Sequence, residues 1–213
     1  MRQIILSVFL MLVLPEMAQN IDRQNVVKRN NPHVVTMDSL NSLTIGNGGF
    51  AMTVDGTGLQ SFPKSYSKGV PLGTMSDWGW HSFGNPEKFK EEESWRYYNF
   101  GRGRKEPYAI QIKDDVRKKA AGNWFRVNPH RLHLGTLGFS LGKDPSLVKN
   151  VNQTLDMWNG CIRSHFSYRG KNYDVETVCD PTLDMVATHV QSKGAIAVNV
   201  QFSYPTGGHC DDA

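Results

Sequence analysis

Two stretches set side by side residues that could hold a ligand: Trp78-Gly79-Trp80-His81-Ser82-Phe83 and Asn128-Pro129-His130-Arg131. Two indoles spaced by glycine and followed by Ser and Phe do not keep the period of a core strand cleanly. An indole face can stack on the apolar side of a sugar ring while neighbouring His, Asn and Arg side chains bind its hydroxyls. Trp78, Trp80, His81, Asn128, His130 and Arg131 are therefore the candidate substrate-binding residues, with an oligosaccharide as the ligand. The competing reading is structural: Trp78 and Trp80, two residues apart, share one face of a strand and plug the core or a seam between domains.

Other chemistries find less support. His130 and His133 have a spacing that a metal tolerates, but no second ligand cluster accompanies them, so hydrogen-bonded surface histidines are the simpler reading and neither metal nor cofactor is expected. Gly46-Asn47-Gly48-Gly49 lacks the spacing and the following helix that would seat a phosphate. Asp55, Asp77, Asp156 and Glu176 are the acids of interest, yet nothing in their spacing pairs two of them across a glycosidic bond, and no catalytic residue is assigned. The formal charge of +4 is modest. Its local clusters, Arg102-Gly103-Arg104-Lys105 and Arg117-Lys118-Lys119, do not build one footprint, which argues against nucleic acid as a partner.

The elements that must position these residues are strands. In Ile196, Val198, Val200, Phe202 and Tyr204 apolar side chains recur at every second position, the mark of a strand with one face buried. Upstream, Ile162, Ser164, Phe166 and Tyr168 alternate in the same way. A turn at Arg169-Gly170-Lys171-Asn172 then leads to Tyr173, Val175, Thr177 and Cys179, a hairpin. With a further strand over residues 184–190, the C-terminal part reads as a meander of about four strands. Earlier, two short alternating runs in residues 42–54 flank an Asn-Gly turn, a second hairpin. Short strands are also expected at residues 33–36, 59–62, 95–100, 108–112 and 132–141. Helices are expected only at residues 87–95 and 113–122, the latter stopped by Gly122. The fold class is all-β and antiparallel, with one or two short helices.

Residues 4–14 form an apolar run behind Arg2, too short to span a membrane and followed by Ala18, so residues 1–18 read as a secretory signal peptide cut before Gln19. The mature chain is expected to be secreted or periplasmic, free of the membrane after cleavage, with residues 19–213 forming one large β domain. Cys161, Cys179 and Cys210 make an odd count, so at least one thiol lacks an internal partner. Cys161 and Cys179 can join only if the hairpin register brings them together.

Gln153-Thr154-Leu155-Asp156-Met157-Trp158-Asn159-Gly160, the hairpin behind it and the early Ser42-Leu43-Thr44-Ile45-Gly46-Asn47-Gly48-Gly49-Phe50 together resemble the N-terminal domain of glycoside hydrolase family 65 and related six-hairpin glycosidases. The middle of the chain looks closer to large exported proteins of Bacteroidetes than to the maltose or trehalose phosphorylases. The resemblance implies a galactose mutarotase-like β-supersandwich, followed in the family by an (α/α) barrel that carries the catalytic acid. No such barrel is encoded here, and the chain breaks off after a Gly-rich loop, so a fragment is expected, inactive alone, whose parent is a glycoside hydrolase or phosphorylase. The sandwich would pack on that barrel and shape its substrate pocket. A stand-alone carbohydrate-binding module is the alternative. A third reading, a self-contained mutarotase-like isomerase, would need a His and a carboxylate to meet in a concave sheet, His165 with Glu176.

Overall fold

The structure is a computed structural model that describes residues 21–202. The expected signal peptide, Tyr204 and Cys210 lie outside them. The chain is all-β, antiparallel and sandwich-like. Its strands are β1 (His33–Val34), β2 (Leu43–Gly46), β3 (Phe50–Val54), β4 (Thr74–Ser76), β5 (Trp80–His81), β6 (Trp95–Asn99), β7 (Lys105–Ala109), β8 (His130–Arg131), β9 (Thr136–Phe139), β10 (Val148–Asp156), β11 (Cys161–Tyr168), β12 (Lys171–Cys179), β13 (Val186–Ser192) and β14 (Val198–Gln201). Among the described residues the helices are α1 (Arg23–Lys28), α2 (Pro63–Tyr66) and α3 (Val116–Arg126).

The main sheet has the order β1-β10-β11-β12-β13. Its central hairpin closes through Arg169 and Gly170, with φ of 50° and 74°. Positive φ at both central residues gives the turn whose twist matches that of the flanking strands. The loop is thus the two residues Arg169-Gly170, with Lys171 and Asn172 already in β12. Phe166 pairs with Tyr173, Ser164 with Val175 and Ile162 with Thr177, so the inward faces follow the alternation in the sequence.

Opposite this sheet stand β2-β3-β4 and the pair β9-β14. Ile45, Met52 and Val54 from the first group, Phe139 from the second with Leu141 just beyond it, and Ile162, Phe166 and Val175 from the main sheet form one core. The turn of the early hairpin is organised by Asn47, whose Oδ1 accepts from the backbone N–H groups of Gly49 (3.0 Å) and Phe50 (2.8 Å).

Between the layers runs a loop, not the strand expected over residues 59–62. It is buried, and it survives burial because its polar groups are satisfied. Asp55 accepts hydrogen bonds from Thr57 N and Oγ1, Ser61 N and Phe62 N. Gln60 exchanges backbone and side-chain bonds with Leu137. Gln153 donates to the Asp55 carbonyl and to Ser164 Oγ, both at 2.8 Å.

Three other expectations are corrected. The fourth member of the meander is β10, whereas β14 crosses to β9 in a different sheet. Residues 113–122 do not stop at Gly122: α3 runs through it, because the buried glycine lets the helix approach the Ile110 carbonyl, 3.2 Å from where a Cβ would stand. Residues 87–95 hold only a 3₁₀ turn at Glu91–Ser94. As for the cysteines, Cys161 faces Val178, not Cys179. Neighbouring strand positions point to opposite faces, so the register sets the two cysteines apart, and both are free thiols.

Candidate functional site

The two aromatic and polar stretches meet as a short ribbon. β5 pairs with β8, placing Trp80 opposite Arg131 and His81 opposite His130. Four of the six candidate residues are thereby brought together in two cross-strand pairs.

Asn128 holds the ribbon rather than facing out of it. Its Oδ1 accepts from the Phe83 N–H and from Ser82 Oγ, while its Nδ2 donates to the Trp124 carbonyl at 2.8 Å. Phe83, so placed, lies edge-on to His81 (ring centroids 4.8 Å) and stacks on His130 (6.0 Å). His130 is also 5.7 Å from His81. Its Nδ1 lies 2.7 Å from the Val127 carbonyl. A carbonyl only accepts, so Nδ1 carries a proton, and in the neutral ring Nε2 presents a lone pair. That Nε2 is buried and has no hydrogen-bond partner among the described residues.

Trp78 sits apart, at the end of the β3–β4 sheet. Its Nε1 donates to Asp184 Oδ2 at 2.8 Å, and the same carboxylate accepts from Ser76 and Asn47. These bonds, that of Ser76 first, hold the Asp184 carboxyl below its usual range. Asp184 had no signal in the sequence, since its three partners lie more than a hundred positions upstream. The indole faces of both tryptophans stay open to solvent, Trp78 at 66% and Trp80 at 60%. Neither plugs the core.

His133 is fully engaged: Nδ1 accepts from Gly135 N at 3.0 Å and Nε2 meets the Leu72 carbonyl at 3.2 Å. It therefore cannot act with His130 on a metal without breaking these bonds. His165 and Glu176 border one groove, but each has another partner: His165 Nδ1 pairs with Asp174 (2.8 Å), and Glu176 with Arg163 (2.9 Å). Glu176 also accepts from the Cys161 thiol.

A second open surface adjoins the ribbon. The segment after β8 runs past Gly79, where Leu134 packs, and reaches Gly135 beneath the Phe202 ring. There β14 pairs with β9, Val200 opposite Leu137 and Val198 opposite Phe139. Val198, Val200 and Phe202 share one face of this strand, and their exposures are 54%, 55% and 80%. Among the described residues no element covers them.

Two comparisons with known proteins add no identity: no family model matches the chain, and no curated protein matches it. The class of the molecule, an all-β antiparallel sandwich with an open aromatic ribbon, rests on its own geometry.

Proposed function

We propose that the chain is the non-catalytic N-terminal β-sandwich domain of an exported carbohydrate-active enzyme, a glycoside hydrolase or phosphorylase acting on oligosaccharides. The single observation that carries this reading is the uncovered face of β14. Its apolar alternation is that of a strand with a buried side, yet Val198, Val200 and Phe202 lie open. A contiguous apolar surface of this kind marks a docking site. In this reading the partner is the (α/α) barrel of the same enzyme, and it covers β14 and the adjoining edge of the ribbon. Trp80, His81, His130 and Arg131 then stand at the rim of the substrate pocket, Trp78 offers a separate open indole held by Asp184, and Asn128 keeps the rim in shape. Export through the N-terminal signal peptide, to the periplasm or beyond the cell, belongs to the same proposal.

The test is the complete gene product, purified from the cells that make it and assayed for hydrolysis and phosphorolysis of oligosaccharides. Trp80→Ala is expected to raise KM about tenfold with kcat little changed, the pattern of a lost contact made equally in ground and transition states. Val200→Asp is expected to loosen the two domains and lower activity without altering the fold of the sandwich. A product that turns over no oligosaccharide and has nothing docked on β14 overturns the reading. In that case binding of glycans by the isolated chain, lost in Trp80→Ala, would mark a stand-alone carbohydrate-binding module.

A further inference from the structure

The outer face of the main sheet carries a second arrangement, independent of the ribbon. Because side chains alternate, the register sets one row across four strands: Asn152, His165, Asp174 and Gln191. The next row is Thr154, Arg163, Glu176 and His189. Both rows line a groove of about 480 Å³, within the range of roughly 300–1,000 Å³ typical of small-molecule sites. Asn31 closes one side, fixed by a bond from Met157 N to its Oδ1 (3.1 Å).

The chemistry of this groove selects among ligands. Each of its carboxylates already has a side-chain partner: Asp174 in His165 (2.8 Å), Glu176 in Arg163 (2.9 Å), and Asp156 in the same Arg163 at 3.6 Å. A cation has to compete with these partners for each acid. An anion meets three carboxylates against one guanidinium. A metal finds no group of three ligating side chains among the described residues. An apolar ligand finds rows of polar side chains. What stays open are hydrogen-bonding atoms: His165 Nε2, the spare carboxylate lone pairs, and the side chains of Thr154, His189 and Gln191, which make no hydrogen bond to the described residues. A hydroxyl group both donates and accepts, so a ring bearing several of them can satisfy donors and acceptors in turn. The His165–Asp174 and Arg163–Glu176 pairs hold the imidazole and the two carboxylates in place before a ligand arrives, which lowers the cost of binding.

We propose that this groove is a binding site for a neutral saccharide unit, held by the two polar rows of β10 to β13. It is separate from the rim at Trp80 and does not depend on a barrel domain.

The experiment is a titration of the whole chain, followed by amide chemical shifts, with three probes of one scaffold and different charge: glucose, glucosamine and glucuronate. Maltose serves as a longer neutral probe. The expected result is saturable shifts confined to β10 to β13 with glucose or maltose, and about tenfold weaker binding of glucuronate and glucosamine. Gln191→Ala and His189→Ala, both on the exposed face of an edge strand and so neutral to folding, are each expected to weaken glucose binding about tenfold, the loss of one hydrogen bond. Trp80→Ala is expected to leave it unchanged. The proposal is overturned if no probe shifts these strands saturably, if the shifts centre on Trp80 instead, if a charged probe binds as tightly as glucose, or if both variants bind like the parent chain. Such failure would leave the docking role of β14 standing, since that role is read from a different surface.

Discussion

Asp55 shows how a single side chain can decide whether a loop may be buried. Its carboxylate takes hydrogen bonds from three backbone N–H groups and a hydroxyl, so Asp55→Ala would strand several buried donors and is expected to cost about 3 kcal/mol or more in urea denaturation. Burial pushes the Asp55 carboxyl up to about 6, against the lowering effect of those bonds. In the unfolded chain it titrates near pH 4. Between about pH 4 and pH 6 the folded state therefore holds a proton that the unfolded chain has released, and the contribution of Asp55 to stability falls as pH rises through that window. At about 1.4 kcal/mol per pKa unit the loss amounts to about 3 kcal/mol. Asp55→Asn removes the titration, so its stability, measured at pH 4 and pH 7, should lack this slope. A slope equal to that of the parent chain would refute the assignment. Asp184 works at the exposed end of β4, on Ser76, Trp78 and Asn47. Asp184→Ala is expected to free the Trp78 indole, seen as a change in tryptophan fluorescence that Asp180→Ala does not reproduce.

Among the elements, the central hairpin was the most legible in the sequence. The alternation of Ile162, Ser164, Phe166 and Tyr168 with Tyr173, Val175 and Thr177 states both the strand period and the buried face, and the register obeys it. The Asn-Gly hairpin of β2 and β3 was legible for the same reason. β10 was not, because the register shifts between Lys149 and Asn152, where Asn150 takes a φ of 54°, and the break hides the period. The loop over residues 55–62 was illegible for another reason: its Gly, Ser and Thr content is that of a surface turn, and only long-range partners such as Gln153 and Thr177 bury it. Gly58 is the hinge of that burial. It has a φ of 84°, and a Cβ there would stand 2.8 Å from Ser164 Oγ and 3.0 Å from Val175 Cγ1. Gly58→Ala is expected to cost at least about 2 kcal/mol, a fall in Tm of about 4–8 °C for a domain of this size. Phe166→Ala, which empties a fully buried site between Phe139 and Tyr173, is expected to cost about 3–5 kcal/mol. Of the candidate site, the sequence named Trp78, Trp80, His81, Asn128, His130 and Arg131, and only the β5–β8 pairing showed that Trp80, His81, His130 and Arg131 lie together. The sequence could not show that Asn128 spends its amide on Ser82, Phe83 and Trp124, because those bonds exist only once the ribbon has formed.

At the scale of the whole molecule, the sandwich has two kinds of surface. The outer face of the main sheet is polar, and its acids bond to Arg163 and His165 across the strands. The edge that carries β14 and the ribbon is apolar and aromatic, with Trp80, Val200 and Phe202 open to solvent. An isolated domain gains nothing from that edge, whereas a domain seated on a partner buries it and gains about 25 cal/mol for each Å² of apolar surface removed from water. The central proposal is that a helical catalytic domain occupies this edge. The most direct measurement is to read the gene past the codon for Ala213. An open frame that continues into several hundred residues of paired amphipathic helices is the predicted result. A stop codon at that position, in the intact gene, would contradict the claim and leave the sandwich to act by itself.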